Sequence, residues 1–386
     1  MKRRLSTITA GLVASVLLVS GCTATASTTD QSTSTTSTVS TTGATSTSTT
    51  STTSPDVDWD SLPTTDVTLS EDGLTITEAG TYVLTGSTTG QVRVETDGDV
   101  RIILDNATIE SSTGAAIQVD NAELVVLELA EGTTNTVNDA DSRSDEEIDG
   151  AIYSADDLVI TGAGTLNVTA TFADGIVSKD DLWIVSGTVN VTSADDGIRG
   201  KDSLNVEGGS ITVDATGDGL KASNDTDLGL GVLSISGGTL TVASGDDAIK
   251  AEQQVQVTGG TVDITESVEG IEAPVIVIED GDITLAASDD GINASASAIV
   301  TDDLSVTVGG GSLTIVMGSG DTDAIDSNGD LTVTGGTVDI TAQSPFDFDG
   351  TGTLDGGEVT VNGEQVTELT NQMMGGGQMG GGPGRG

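Results

Sequence analysis

The chain has 386 residues, of which 61 are acidic, 12 basic and none histidine, for a formal net charge of −49. Without histidine there is no Ser-His-Asp triad, no histidine-ligated zinc and no histidine phosphotransfer. So lopsided a balance also excludes nucleic acid, whose phosphates are held by Lys and Arg, and favours cations or polyanions bridged by cations.

Lys2, Arg3 and Arg4 open a charged region followed by an apolar run that ends Leu17-Leu18-Val19-Ser20-Gly21-Cys22. Residues 1–21 read as a secretory signal, and Val19 to Cys22 as a lipobox that leaves Cys22 as the lipidated first residue of the mature chain. As the single cysteine, it permits no intramolecular disulfide. The expected location is extracytoplasmic, exposed at the cell surface, with the lipid anchor as the only membrane contact. Residues 22–56 are almost wholly Ser and Thr, with too little apolar surface to fold, and read as a solvated tether.

Folding is expected over residues 57–366. Segments such as Val67 to Ile109 alternate apolar and polar residues, with Gly, Asp or Asn at the breaks, which is the pattern of short half-buried strands. A marker, usually an acidic and a small residue followed by an apolar one, then recurs at Ile117 (as Ala-Ala-Ile), Ile152, Ile176, Ile198, Leu220, Ile249, Ile271, Ile292, Ile325 and, in altered form, Phe348. Its interval is 22 residues from Ile176 to Ile198, Ile198 to Leu220 and Ile249 to Ile271. Between markers lie two apolar pairs and a Gly-Gly corner such as Gly208-Gly209 or Gly259-Gly260. The predicted fold class is all-β, a parallel β-helix of about 22 residues and three strands per coil. Asn224 to Gly231 and Ala294 to Val300 are insertions expected to emerge as loops. Residues 367–386 read as a disordered Gly/Met-rich tail.

Stacked in register, the acids before the marker place like charges every ~4.8 Å, about 3.5 kcal/mol per adjacent pair at an effective dielectric near 20. Two compensations are legible. One is calcium, which prefers hard carboxylate oxygens: the candidate ligands are Asp174, Asp195, Asp196, Asp202, Asp218, Asp246, Asp247, Asp289 and Asp290. Asp-Gly turn chemistry is the plainer account of any single one. The other is a basic column, with Arg199, Lys221 and Lys250 directly after the marker and Lys179 and Lys201 three after it. Simple charge balance would explain it. So would a groove for a carboxylated sugar chain, in which Tyr153 and an outward-facing Trp183 offer ring faces.

The segments AGTYVLTG (Ala79 to Gly86), GTTNTV (Gly132 to Val137), Asp149 to Ala170 and the repeated DGI-x-x-KD-x-L resemble the carbohydrate-binding β-helix family of bacterial surface proteins. The resemblance spans about Asp66 to Val366. It implies a right-handed, polysaccharide-lyase-like coil, bound calcium, and association with cellulose and polygalacturonate. Glu269, Ala248 and Ala324 depart from the repeated pattern. The reading is a monomeric, surface-anchored protein that binds acidic or plant cell-wall polysaccharide with calcium. A calcium-dependent polysaccharide lyase and a calcium-stiffened adhesin or stalk are the alternatives.

Overall fold

In Val92–Glu95 the buried Val92 and Val94 alternate with exposed Arg93 and Glu95, and this period of two sets the inward face of strand after strand. The structure, a computed structural model, describes residues 53–318 and 322–371, all within the unit Thr47–Gly386. The predicted signal, Cys22, the linker up to residue 52 and the tail from residue 372 lie outside these residues.

The predicted right-handed parallel β-helix, with its three-strand, 22-residue coils, is corrected. The described chain is all-β apart from a single 3-10 turn at Trp59–Ser61, but its strands form two parallel sheets, of 22 and 12 strands, closed around one apolar interior like the walls of a barrel. Two walls arise because Gly80–Thr88, Val100–Glu110, Gln254–Glu266 and Val275–Leu285 pass through the expected corner without leaving strand geometry, which merges two faces into one. Gly260 bends that path with a φ of 89°, and Gly209 turns the same corner two layers earlier, between separate strands, with 91°, a region costly for any residue with a Cβ. The layers are also unequal. Successive marker positions, from Leu74 paired with Val92 to Ile325 paired with Phe346, lie between 18 and 35 residues apart.

The twelve-stranded sheet begins at Leu74–Ile76 and ends at Ser344–Phe348. Its inward stack runs Ile117, Ile152, Ile176, Ile198, Leu220, Ile249, Ile271, Ile292, Ile325 and Phe346, all buried. The last member is Phe346 rather than Phe348, so Ser344, not an acid, ends the acidic column. At the C-terminal edge, Asn362 and Gly363, both at positive φ, turn Glu358–Val361 back on Glu364–Val366 in the one antiparallel pair among the described strands. Such a cover shields an otherwise free strand edge. The start of the predicted tail also lies on the fold: Leu369 is buried and Asn371 Nδ2 donates to the Phe348 carbonyl at 2.6 Å.

Candidate functional site

One outward position of the twelve-stranded sheet, the residue after each marker, forms a continuous row in strict register: Arg93, Gln118, Tyr153, Val177, Arg199, Lys221, Lys250, Glu272, Asn293, Asp326 and Asp347. Parallel pairing of short, similar strands puts these side chains one above another at ~4.8 Å. Arg199, Lys221 and Lys250 therefore stack on consecutive layers.

The acids two residues before the marker form a second, buried column. Asp174, Asp196 and Asp218 each use one oxygen along the column and the other across it. Asp174 Oδ1 accepts from the Asp196 amide at 3.2 Å, Asp196 Oδ1 from the Asp218 amide at 2.9 Å, and Asp218 Oδ1 from the Asp247 amide at 3.0 Å. The second oxygens meet the cations. Arg199 Nε donates to Asp174 at 2.8 Å and its Nη2 to Asp149 at 2.5 Å. Lys221 reaches Asp218 at 2.6 Å and Asp196 at 3.2 Å, while Lys250 reaches Asp247 at 2.6 Å and also pairs with Glu272. Burial pushes the carboxyl of Asp174 up to about 6 and raises that of Asp218. Burial opposes the charged forms of Arg199 and Lys221, but their carboxylate partners outweigh it and hold both above their ordinary values. Of the two compensations read from the sequence, the basic column serves these four acids.

The proposed ligands thus separate. Asp174, Asp196, Asp218 and Asp247 are buried in the ladder, whereas Asp195, Asp246 and Asp289 are exposed beside it. Asp246 does come within ligand range of Asp218 and Asp247. Asp202 belongs elsewhere, in a turn where it accepts from Asn224 Nδ2 at 2.6 Å and where Asp157, Asp180 and Asp181 converge. Asp290 Oδ1 accepts from the Asp323 amide at 2.9 Å. Beyond Lys250 no basic residue joins the row, and three buried oxygens there have no partner: Glu269 Oε2, Asn293 Oδ1 and Asp347 Oδ1.

The predicted ring faces are corrected. Tyr153 is 8% exposed, packed between Ala115, Val177 and Ile148. Trp183 does face away from the interior, but it is 3% exposed because Val57 and Trp59 cover it together with Leu124, Val126 and Val159. Neither offers a ring to a ligand. Lys179 pairs with Asp149 at 3.2 Å, and Lys201 makes no ion pair with any described residue.

The sequence reading missed the loop between Asn138 and Gly150, although the 35-residue interval from Ile117 to Ile152 marks it as an insertion. It crosses the row above Tyr153 and Val177. On one side of it lies a depression of about 450 Å³ that holds Arg199 and Lys221 among six carboxylates, and on the other a cleft of about 260 Å³ beside Arg93 and Gln118.

On either side of the covered Tyr153 and Val177, the row is polar and open on one wall of a parallel β structure, a surface rather than an enclosed cavity. The chain belongs to the family of carbohydrate-binding domain-containing proteins, whose model matches residues 70–322. A carbohydrate-binding domain-containing protein of Acetivibrio thermocellus is 34% identical over 133 residues, which are 32% of this chain and 46% of that protein. The chain thus spans about half the length of the curated relative it matches. A solved structure of a polysaccharide lyase-like protein from C. thermocellum, as a gadolinium derivative, is 30% identical with a TM-score of 0.49, covering 60% of this chain and 92% of that one.

Proposed function

We propose that the protein binds polysaccharide along the outward row of the twelve-stranded sheet, with acidic, polygalacturonate-like chains as its ligands and calcium as the bridge. Membership of the carbohydrate-binding family supports the general reading. The observation that carries the specific one is the division of the row, cationic from Arg199 to Lys250 and acidic without cations from Glu272 onward. Calcium takes six to eight hard oxygen ligands, and Asp247, Glu269 and Glu272, whose oxygens come within 4.8 Å of one another, with the unpartnered Oδ1 of Asn293 one layer on, have the donor chemistry to hold it. The ion would supply a positive charge shared between protein and glycan carboxylates. That charge is needed where the row is acidic, since no basic residue follows Lys250 in it.

Binding, not lyase chemistry, is assigned. Abstracting a proton beside a uronate carboxylate requires an unprotonated base, and of the candidates Arg199, Lys201 and Lys221, the carboxylates around Arg199 and Lys221 favour their charged forms. Immobilised polygalacturonate should retain the intact protein in millimolar calcium and release it in EGTA. Passage through the column in both conditions would overturn the proposal and leave a calcium-stiffened stalk as the better account. The same reading places the protein at the cell surface on a lipid carried by Cys22. A Cys22→Ser variant should move from the membrane to the soluble fraction of cells, and an unchanged membrane fraction would exclude that anchor.

A further inference from the structure

The cleft on the other side of the Asn138–Gly150 loop has a different chemistry from the Arg199 to Lys250 stretch of the row. Its floor is a chain of oriented polar groups. Gln91 Nε2 donates to the Ala115 carbonyl at 2.8 Å and to Gln118 Oε1 at 3.3 Å, Gln118 Nε2 donates to Asp120 Oδ1 at 2.6 Å, and Arg93 Nε donates to Asp120 Oδ2 at 3.1 Å. That arrangement leaves Gln91 Oε1 as an acceptor and Arg93 Nη1 as a donor with no partner among the described residues, both in side chains that line the cleft.

The roof is built rather than draped. Arg143 anchors the loop from below, with Nη1 donating to the Gly150 carbonyl at 2.9 Å and to that of Ile148, Nη2 paired with Asp139, and the guanidinium 4.6 Å from the Phe172 ring centre. Its side chain is only 2% exposed, yet its Nε is buried without a partner while the residue lines the cleft. An orphaned buried donor is costly unless something completes it. Fixing the roof in advance also lowers the ordering cost of binding.

Charge sets the ligand class. Arg93 is paired with Asp120 and Arg143 with Asp139, so the cleft offers no spare positive charge and Asp145 at its edge is uncompensated. A free uronate gains nothing there. Sugar hydroxyls, each both donor and acceptor, match alternating amide, guanidinium and carboxylate edges. The volume of about 260 Å³ lies just under the ~300 Å³ at which clefts for drug-sized ligands begin, which suits a single sugar residue.

We infer that this cleft is a second, metal-independent subsite for one neutral sugar residue of a polysaccharide. The inference rests on the polysaccharide-binding reading but not on its acidic or calcium-dependent parts. Calorimetric titration of the intact protein in excess EDTA, with neutral gluco-, xylo- and manno-hexaoses as probes, should show binding of at least one. Gln118→Ala and Arg93→Ala, both at the surface, should each weaken it roughly tenfold. Ser144→Trp, which fills the mouth from an exposed loop position, should abolish it while leaving calcium-dependent retention on polygalacturonate unchanged. Absence of neutral binding in EDTA, or binding that survives both Gln118→Ala and Ser144→Trp, would overturn the inference. Neither result bears on polygalacturonate retention, which tests the acidic reading separately.

Discussion

Arg199 is the residue on which the acidic ladder most depends. Its guanidinium reaches Asp149 and Asp174 and lies 3.7 Å from Asp196, and the Asp174 side chain is 4% exposed. Removing one partner of a buried pair leaves the other charge uncompensated, which costs about 3–5 kcal/mol. Arg199→Ala should lower the urea midpoint accordingly. Arg199→Lys should fall between, because one ammonium cannot span Asp149 and Asp174 as the planar fork does. Arg93→Ala provides the contrast, since its pair with Asp120 is largely exposed and such pairs contribute about 0–1 kcal/mol. An Arg199→Ala protein with the wild-type midpoint would mean that the amide ladder alone holds these carboxylates. The position of Arg199 after a marker was legible in the sequence, and so were its acidic neighbours. Its pairing with Asp149 was not, because Asp149 precedes Ile152 and so belongs to the layer two before Arg199.

At the scale of elements, what the sequence conveyed was the inward stack and the row beside it, because strand periodicity assigns faces and a repeated marker assigns register. It did not convey what covers an outward residue. Trp183 and Tyr153 show why: alternation places both outside, and two segments without the repeat then close over them, Val57 and Trp59 in one case and the Asn138–Gly150 loop in the other. The first of these is pinned at both ends, by the Ser54 amide on Glu207 Oε1 at 2.7 Å and by Arg101 stacked 5.3 Å from the Trp59 ring. Cover by a non-repeating segment is a tertiary event with no period to betray it. The two-sheet arrangement was hidden for a related reason. A Gly-Gly pair announces a bend, but whether neighbouring strands still pair through the bend depends on layers above and below, as at Gly259-Gly260. The slip from Phe348 to Phe346 has a simpler origin: Asp347 and Asp349 flank Phe348 and imitate the marker, while the pairing of Ile325 with Phe346 keeps the apolar stack intact.

For the whole molecule, the dominant fact is an excess of carboxylates, many of them partly or fully buried. Desolvation is the leading cause that raises Asp157, Asp326 and Glu269 to about 7 and Asp174, Asp180 and Asp290 to about 6, with neighbouring acids adding to it. Their ordinary values are 3.8 for Asp and 4.5 for Glu. Between those values and the folded ones, the folded state holds more protons than the unfolded state, so stability falls as pH rises. The contribution is present in full below about pH 4 and is lost as pH climbs through 6 and 7. Self-repulsion in a chain of net charge −49 acts in the same direction. A divalent ion that binds only the folded, deprotonated acids adds stability by mass action and is favoured at the higher pH, so it opposes the trend. Thermal unfolding followed by circular dichroism should therefore give, in EGTA, a melting temperature that declines from pH 5 to pH 8. In millimolar calcium the decline should flatten or reverse. A melting temperature that rises with pH in EGTA would show that the buried acids are ionised at no cost to the fold, and identical profiles with and without calcium would remove the ion from the account.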